Sequence, residues 1–297
     1  MEKKLLLVYN PVSGKAQIKN HLAEIIDIYS LSDYCVTLHP TKYARDGFEY
    51  IKENATDYDV VSVCGGDGML NEAVSALMYV DIDKRPSLAY LPAGSTNDFA
   101  GTLGLPLDII KAAKMVVEGT PFFCDAGTLN DNYFAYVAAF GEFTSVSYDT
   151  SQEFKNIFGH FAYIMEAIRQ LPSIKSHHIR VSFDDNVIED DFIYGMVSNS
   201  FQVGGIKHGM GTAISLNDGL FEVFLVKMPK NAMAFPNIAT AFITQNLDKT
   251  EDIISFKAKK VVFETDEEIP WTVDGEFGGN IKRAEVVNIP RAFSVIV

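Results

Sequence analysis

Short apolar runs closed by polar or glycine-rich clusters alternate, through the first part of the chain, with apolar residues at helical spacing. Leu5 to Tyr9 is one such run, closed by Asn10-Pro11-Val12-Ser13-Gly14, and Ile18, Leu22, Ile25, Ile26 and Tyr29 then recur on one helical face. The pattern predicts strand, loop, helix. It repeats with Cys35 to Leu38 as a strand and Phe48, Ile51 and Ala55 as a short helix face, then Val60 to Cys64 as a strand followed by a helix on Leu70, Ala73, Val74, Leu77 and Met78. Ser87 to Leu91 adds a strand, and Ile109, Ile110, Val116 and Val117 a helix. Strands alternating with helices predict a parallel sheet covered on both faces, which binds ligands at the carboxyl ends of its strands. The polar loops after Tyr9, Cys64 and Leu91 leave strands at that end and are expected to converge on one crevice.

From Phe122 onward the period changes. Tyr133 to Phe140, Ile179 to Phe183, Phe192 to Val197, Leu220 to Val226, Lys260 to Phe263, Glu285 to Ile289 and Phe293 to Val297 read as strands, separated by turn clusters such as Asn130-Asp131-Asn132 and Asp184-Asp185-Asn186. Two helical stretches, Phe161 to Leu171 and Ala232 to Thr244, interrupt them. The expectation is an α/β domain over residues 1–128 and an antiparallel β domain over 129–297, a division that suits a chain of 297 residues.

Charge narrows the partners. With 25 basic against 39 acidic residues the formal net charge is -14, which argues against nucleic acid and against nonspecific docking to an anionic membrane. The one locally basic stretch runs from Arg169 to Arg180 through Lys175, His177 and His178; it reads first as a solvated face and second as a contact for acidic head groups. The three cysteines are far apart with no Cys-x-x-Cys pair, so neither a disulfide framework nor a thiolate zinc site is expected. The apolar run after Lys4 is too short for a signal sequence or a membrane span, and a cytoplasmic location is expected.

Gly65-Gly66-Asp67-Gly68 carries the most chemistry. A strand that stops in glycines and turns into a helix brings bare backbone N–H groups and a helix N-terminus to one anion, because glycine tolerates positive φ and lets a ligand approach the backbone. A plain tight turn explains one or two of these glycines but not three around an acid. The segment is neither a Walker loop nor a dinucleotide fingerprint, since Asn71 stands where the third fingerprint glycine belongs. Asn10 to Lys15 and Pro92 to Ala100 each offer amide and hydroxyl groups, with helix capping as the alternative. Asn217-Asp218-Gly219 and Asp274-Gly275-Glu276 each read as hairpin turns, although Trp271, the only tryptophan, stands beside the second.

Taken together and in this order, these motifs resemble the diacylglycerol kinase catalytic-domain family, the soluble bacterial lipid kinases related to sphingosine and ceramide kinases. The resemblance rests on Asn10-Pro11 with Ser13-Gly14, on Gly65 to Gly68 with Asn71-Glu72, on Pro92 to Phe99, on Asn217-Asp218-Gly219 and on Asp274-Gly275-Glu276, and covers nearly the whole chain. It implies an α/β nucleotide-binding domain, a C-terminal antiparallel β-sandwich domain, and ATP in the cleft between them. It also implies that Asn10, Pro11, Val12, Ser13, Gly14, Thr41, Gly66, Asp67, Gly68, Met69, Leu70, Asn71, Glu72 and Ser95 hold the nucleotide.

The same resemblance implies that Glu276 is the general base, with Asp67 and Asp274 linking metal, water and cleft together with Asp98 and Asp125. A structural Mg²⁺ would sit on Asp218 and main-chain oxygens of Ser215 and Leu220. The implied reaction is ATP- and Mg²⁺-dependent phosphorylation of a lipid hydroxyl, diacylglycerol foremost, by a protein that touches the membrane surface transiently; a homodimer is left open. An NAD-kinase-like phosphotransferase acting on a soluble alcohol, or a nucleotide-binding regulator without turnover, are the alternatives. Three positions depart from the family pattern: Met69 replaces a threonine, Thr212 a proline and Asn217 the first acid of a pair.

Overall fold

The computed structural model describes residues 3–13, 17–94, 97–141, 175–200, 202–203, 206–207, 215–231, 234–243 and 250–297. The chain forms two units: Met1–Ala126 with Tyr133–Ala135 and Pro290–Val297, and Gly127–Asn132 with Tyr136–Ile289.

The first unit alternates strand and helix: β1 (Lys3–Tyr9), α1 (Gln17–Ser30), β2 (Tyr34–Pro40), α2 (Asp46–Asn54), β3 (Val60–Gly65), α3 (Asp67–Leu77), β4 (Ser87–Pro92), α4 (Asp98–Leu103) and α5 (Ile109–Glu118). The strands pair in parallel in the order β2, β1, β3, β4. All of β3 is buried and β4 nearly so, as expected of central parallel strands covered on both faces, whereas no residue of β2, at the edge, is fully buried. Leu5, Leu7, Ile18, Ile25, Ala112, Ala113 and Val116 build one face of the core with Tyr29, whose hydroxyl lies 3.2 Å from Ser62 Oγ.

The chain runs on as β5 (Pro121–Leu129), β6 (Asn132–Phe134), β7 (Val137–Gly141), β8 (His177–Phe183), β9 (Asn186–Ser198), β10 (Gln202–Val203), β11 (Ile206–Lys207), β12 (Phe221–Lys227), α6 (Ala234–Ile243), β13 (Ile253–Ala258), β14 (Lys260–Val273) and β15 (Glu276–Ile296). In the second unit β13, β12, β9, β7, β14 and the first part of β15 pair antiparallel in that order, and β8 pairs with both β9 and β14. Trp271, Phe140 and Phe263 pack at its centre in tilted and edge-to-face pairs with ring centroids 4.9–5.7 Å apart. Trp271 is fully buried, so its place beside the Asp274 turn is that of a core residue. Gly195 makes room for Phe140, because a Cβ there would lie 2.1 Å from the Phe140 ring.

The segments read as Glu285 to Ile289 and Phe293 to Val297 fall on the single strand β15, which ends at Ile296, with Arg291 at φ 51° between them. Its last residues return to the first unit, where Val295 pairs in parallel with Leu88 of β4. An apolar run signals a strand but not the sheet it joins. The stretch Phe161 to Leu171 lies outside the described residues.

Candidate functional site

In the first unit the loops converge at the strand ends. Asn10 N–H donates to Cys64 O (3.1 Å), Thr41 N–H to Tyr9 O (2.9 Å), Ala93 N–H to Gly65 O (2.7 Å) and Ser13 Oγ to Ala93 O (3.1 Å). Asn10 Oδ1 accepts from Val12 N–H at 3.0 Å, closing the turn. Gly66 is the N-cap residue of α3 and offers no side-chain cap, so the positive end of the helix is left to backbone N–H groups.

The glycines here serve contact rather than positive φ. Gly66 has φ −87°. A Cβ on Gly94 would lie 2.5 Å from Gly66 Cα, and one on Gly65 would lie 2.6 Å from Met69 Cβ. Two loop backbones therefore touch at Gly66 and Gly94, and the buried Met69 packs against Gly65 and Gly47. Leu70 is also buried, and the N–H groups of Met69 and Leu70 both donate to Gly66 O.

Acids and amides fasten this edge. Asp67 Oδ2 accepts from Asp98 N–H at 3.4 Å, and the buried Asn97, itself in the left-handed region at φ 52°, accepts from Gly94 N–H (2.9 Å) and donates to Gly94 O (3.1 Å). The Tyr90 hydroxyl lies 3.3 Å from both Gly65 O and Asn97 Oδ1. Burial, and then the charge of Asp67, push its pKa upward, so it stays protonated. Glu72 reaches back to α2, accepting from Arg45 N–H (3.0 Å) and Phe48 N–H (3.2 Å). Asp125, fully buried, accepts from Arg291 N–H at 2.7 Å. Gly14 and Ser95 lie outside the described residues.

Asp46 steadies the loop that carries Thr41. Its carboxylate accepts from Lys42 N–H (2.7 Å) and pairs with His39 Nε2 (3.0 Å). Burial works to raise its pKa, but these bonds outweigh it and hold the value below 3.8. A depressed carboxylate contributes stability above its unfolded pKa and loses it as pH falls through the folded value. Asp46→Asn is therefore expected to flatten part of the stability loss below about pH 4, read from urea melts across the acid range.

In the second unit Asp274 and Gly275 form the two-residue turn between β14 and β15, at φ 48° and 87°. The hairpin reading is correct and incomplete. Asp274 is buried, and its Oδ1 accepts from Tyr136 N–H (3.0 Å) and Val137 N–H (2.9 Å), which breaks the run from Tyr133 to Phe140 into β6 and β7. Tyr136 O in turn accepts from Asn199 N–H (2.8 Å) and Ser198 Oγ (3.1 Å), and Asn199 Nδ2 reaches Leu216 O at 3.4 Å. A buried polar chain thus ties the turn bearing exposed Glu276 to the loop bearing Asp218. Asp274→Ala is expected to leave two buried donors without their acceptor and to cost roughly 3 kcal/mol in a urea melt, with Asp274→Asn costing less.

The loop from Ser215 to Leu220 is closed by its own groups. Asp218 Oδ1 accepts from Leu220 N–H (3.1 Å), Ser215 Oγ donates to Asn217 Oδ1 (3.0 Å), and Asp218 Oδ2 lies 3.3 Å from Lys257 Nζ. Lys257 also pairs with buried Glu222 at 2.9 Å. Among the described residues no group of three or more His, Cys, Asp or Glu side chains is arranged to hold a metal. As arranged, these residues do not fit Mg²⁺, because the carboxylate that would bind it already faces an ammonium.

The described part of the basic stretch is matched by acids. Lys175 Nζ and His177 Nδ1 bind Glu267 (3.1 and 2.7 Å), His178 binds Asp191 and Glu189 (2.9 and 3.3 Å), and Arg180 lies opposite Glu189 and Glu264. Hydrogen bonds to Asp191 and Glu189 raise the pKa of His178. β8 lies between two acid-rich strands, which favours the solvated-face reading. No helix among the described residues is long and apolar enough to cross a membrane.

An α/β unit with a glycine-rich turn at its strand ends, joined to an antiparallel β-sandwich unit, is the architecture of the bacterial DAGK/YegS class of proteins. Residues 4–129 match the diacylglycerol kinase catalytic domain and residues 142–297 the YegS C-terminal NAD kinase beta sandwich-like domain, so the chain belongs to the diacylglycerol kinase catalytic-domain family. It is 33% identical to a diacylglycerol kinase of Bacillus subtilis over 99% of this chain and 96% of that one, and 32% identical to one of Staphylococcus carnosus over 99% and 95%. A crystal structure of a diacylglycerol kinase from Bacillus anthracis aligns with TM-score 0.75 at 25% identity over 99% of this chain and 96% of its own. A second crystal structure from Bacillus anthracis aligns with TM-score 0.83 at 28% identity, over 99% of this chain and 95% of its own. Membership supports a kinase-type phosphotransferase.

Proposed function

We propose that the protein transfers the γ-phosphoryl group of ATP to the free hydroxyl of diacylglycerol, giving phosphatidic acid. The observation that carries this reading is the uncapped N-terminus of α3 at a turn where the Gly66 and Gly94 backbones touch. Such an end stabilises phosphate through N–H groups and the helix dipole. The polyphosphate would lie along Asn10 to Gly14, Gly66 to Gly68 and Ser95, with Thr41, Asn71 and Glu72 shaping the adjoining loop. Mg²⁺ would accompany the phosphates as their counter-ion, beside Asp67 at the start of α3 and Asp98, whose N–H donates to Asp67 Oδ2.

Glu276 would accept the hydroxyl proton. Phosphoryl transfer asks the protein mainly for placement and charge stabilisation, and an acceptor for that proton completes it. Asp274 is the positioning residue, since it fixes the turn from which Glu276 projects. Relatives named diacylglycerol kinase favour a lipid acceptor, met by transient contact with the membrane surface from the cytoplasm. ADP release tests the reading: it should rise with mixed micelles containing diacylglycerol and stay at background with NAD. The opposite pattern would replace the lipid by a soluble alcohol.

A further inference from the structure

β12 and β13 pair with Glu222 directly opposite Lys257, so strand register alone sets the ammonium over the acid. Lys257 Nζ lies 2.9 Å from Glu222 Oε1 and 3.3 Å from Asp218 Oδ2, joining the strand to the loop that precedes it. Asp218 Oδ1 is held by Leu220 N–H. Asn217, which stands where the family pattern has an acid, accepts from Ser215 Oγ and brings no charge to the loop. We propose that the Lys257 ammonium is the built-in cation of the Ser215–Leu220 loop and does the structural work that the family resemblance assigns to Mg²⁺ there.

The chemistry favours the tethered cation. Mg²⁺ requires near-octahedral oxygen ligands at about 2.0–2.1 Å and gives up its waters reluctantly, whereas an ammonium accepts looser geometry and offers three donors. A lysine on the neighbouring strand is present at any metal concentration. Its positive charge also repels a divalent ion from the same carboxylate.

The test uses the full chain without nucleotide or lipid, so its outcome is independent of the kinase reading. Thermal melts of the parent should agree within about 1 °C between EDTA and excess MgCl₂, because nothing in the loop takes up the ion. Lys257→Met leaves two carboxylates facing each other; it should melt roughly 5 °C lower in EDTA and recover part of that in MgCl₂. Lys257→Arg should keep the parent's indifference to metal. The proposal is overturned if MgCl₂ raises the parent's Tm and Asp218→Asn abolishes that gain, or if Lys257→Met melts like the parent in both buffers. Should Lys257→Met fail to accumulate as folded protein, the parent and Asp218→Asn comparison decides alone.

Discussion

Glu276→Gln is expected to cut lipid phosphorylation by about a hundredfold or more while leaving ATP affinity close to that of the parent. Glutamine keeps the size and hydrogen bonding of glutamate but cannot accept a proton. Glu276 is exposed at the start of β15, opposite Val273, so the change should move stability by no more than about 0.5 kcal/mol. A large loss of turnover in a protein that melts normally therefore reports on chemistry. Single-turnover kinetics with saturating ATP separates this from a binding defect. Retention of most of the activity would remove Glu276 from the base role and bring Asp67 forward.

The second large effect belongs to Gly94. Gly94→Ala would place a methyl group 2.5 Å from Gly66 Cα and 2.8 Å from Asn97 Oδ1, and the first of these is backbone that cannot rotate aside. Overpacking of this kind costs about 1–3 kcal/mol, and here the strain is released by separating the two loops that form the proposed phosphate turn. ATP affinity is expected to fall at least about tenfold, read by calorimetry beside a thermal melt. Gly66→Val acts on the same contact from the other side, since its Cβ would lie 3.3 Å from Gly94 Cα. A Gly94→Ala protein that binds ATP and melts like the parent would show that this contact does not shape the nucleotide site.

The parallel sheet and the convergence of its loops were legible because alternating apolar runs and helical spacing report burial directly. The role of the glycines was less so. Three glycines around an acid suggested positive φ and the close approach of a ligand, yet Gly66 is extended and meets the backbone of Gly94, a residue distant in sequence. Tyr90 looked like one more apolar strand residue, and only the fold shows its hydroxyl between Gly65 and Asn97. Ser198 and Asn199 gave a faint signal, polar residues closing the apolar run from Phe192 to Val197. Their link between the Asp274 turn and the Asp218 loop depends on antiparallel register. The same holds for Lys257, which local sequence shows as a surface lysine and strand pairing sets across from Glu222.

Transfer of label from γ-³²P-ATP across a panel of diacylglycerol, monoacylglycerol, sphingosine, ceramide and phosphatidylglycerol, with the parent and Glu276→Gln side by side, tests the central claim most directly. The expected result is labelled phosphatidic acid from diacylglycerol with the parent, and about one hundredth of that rate or less with the variant. Label in another acceptor, or in none while ATP still binds, would contradict it.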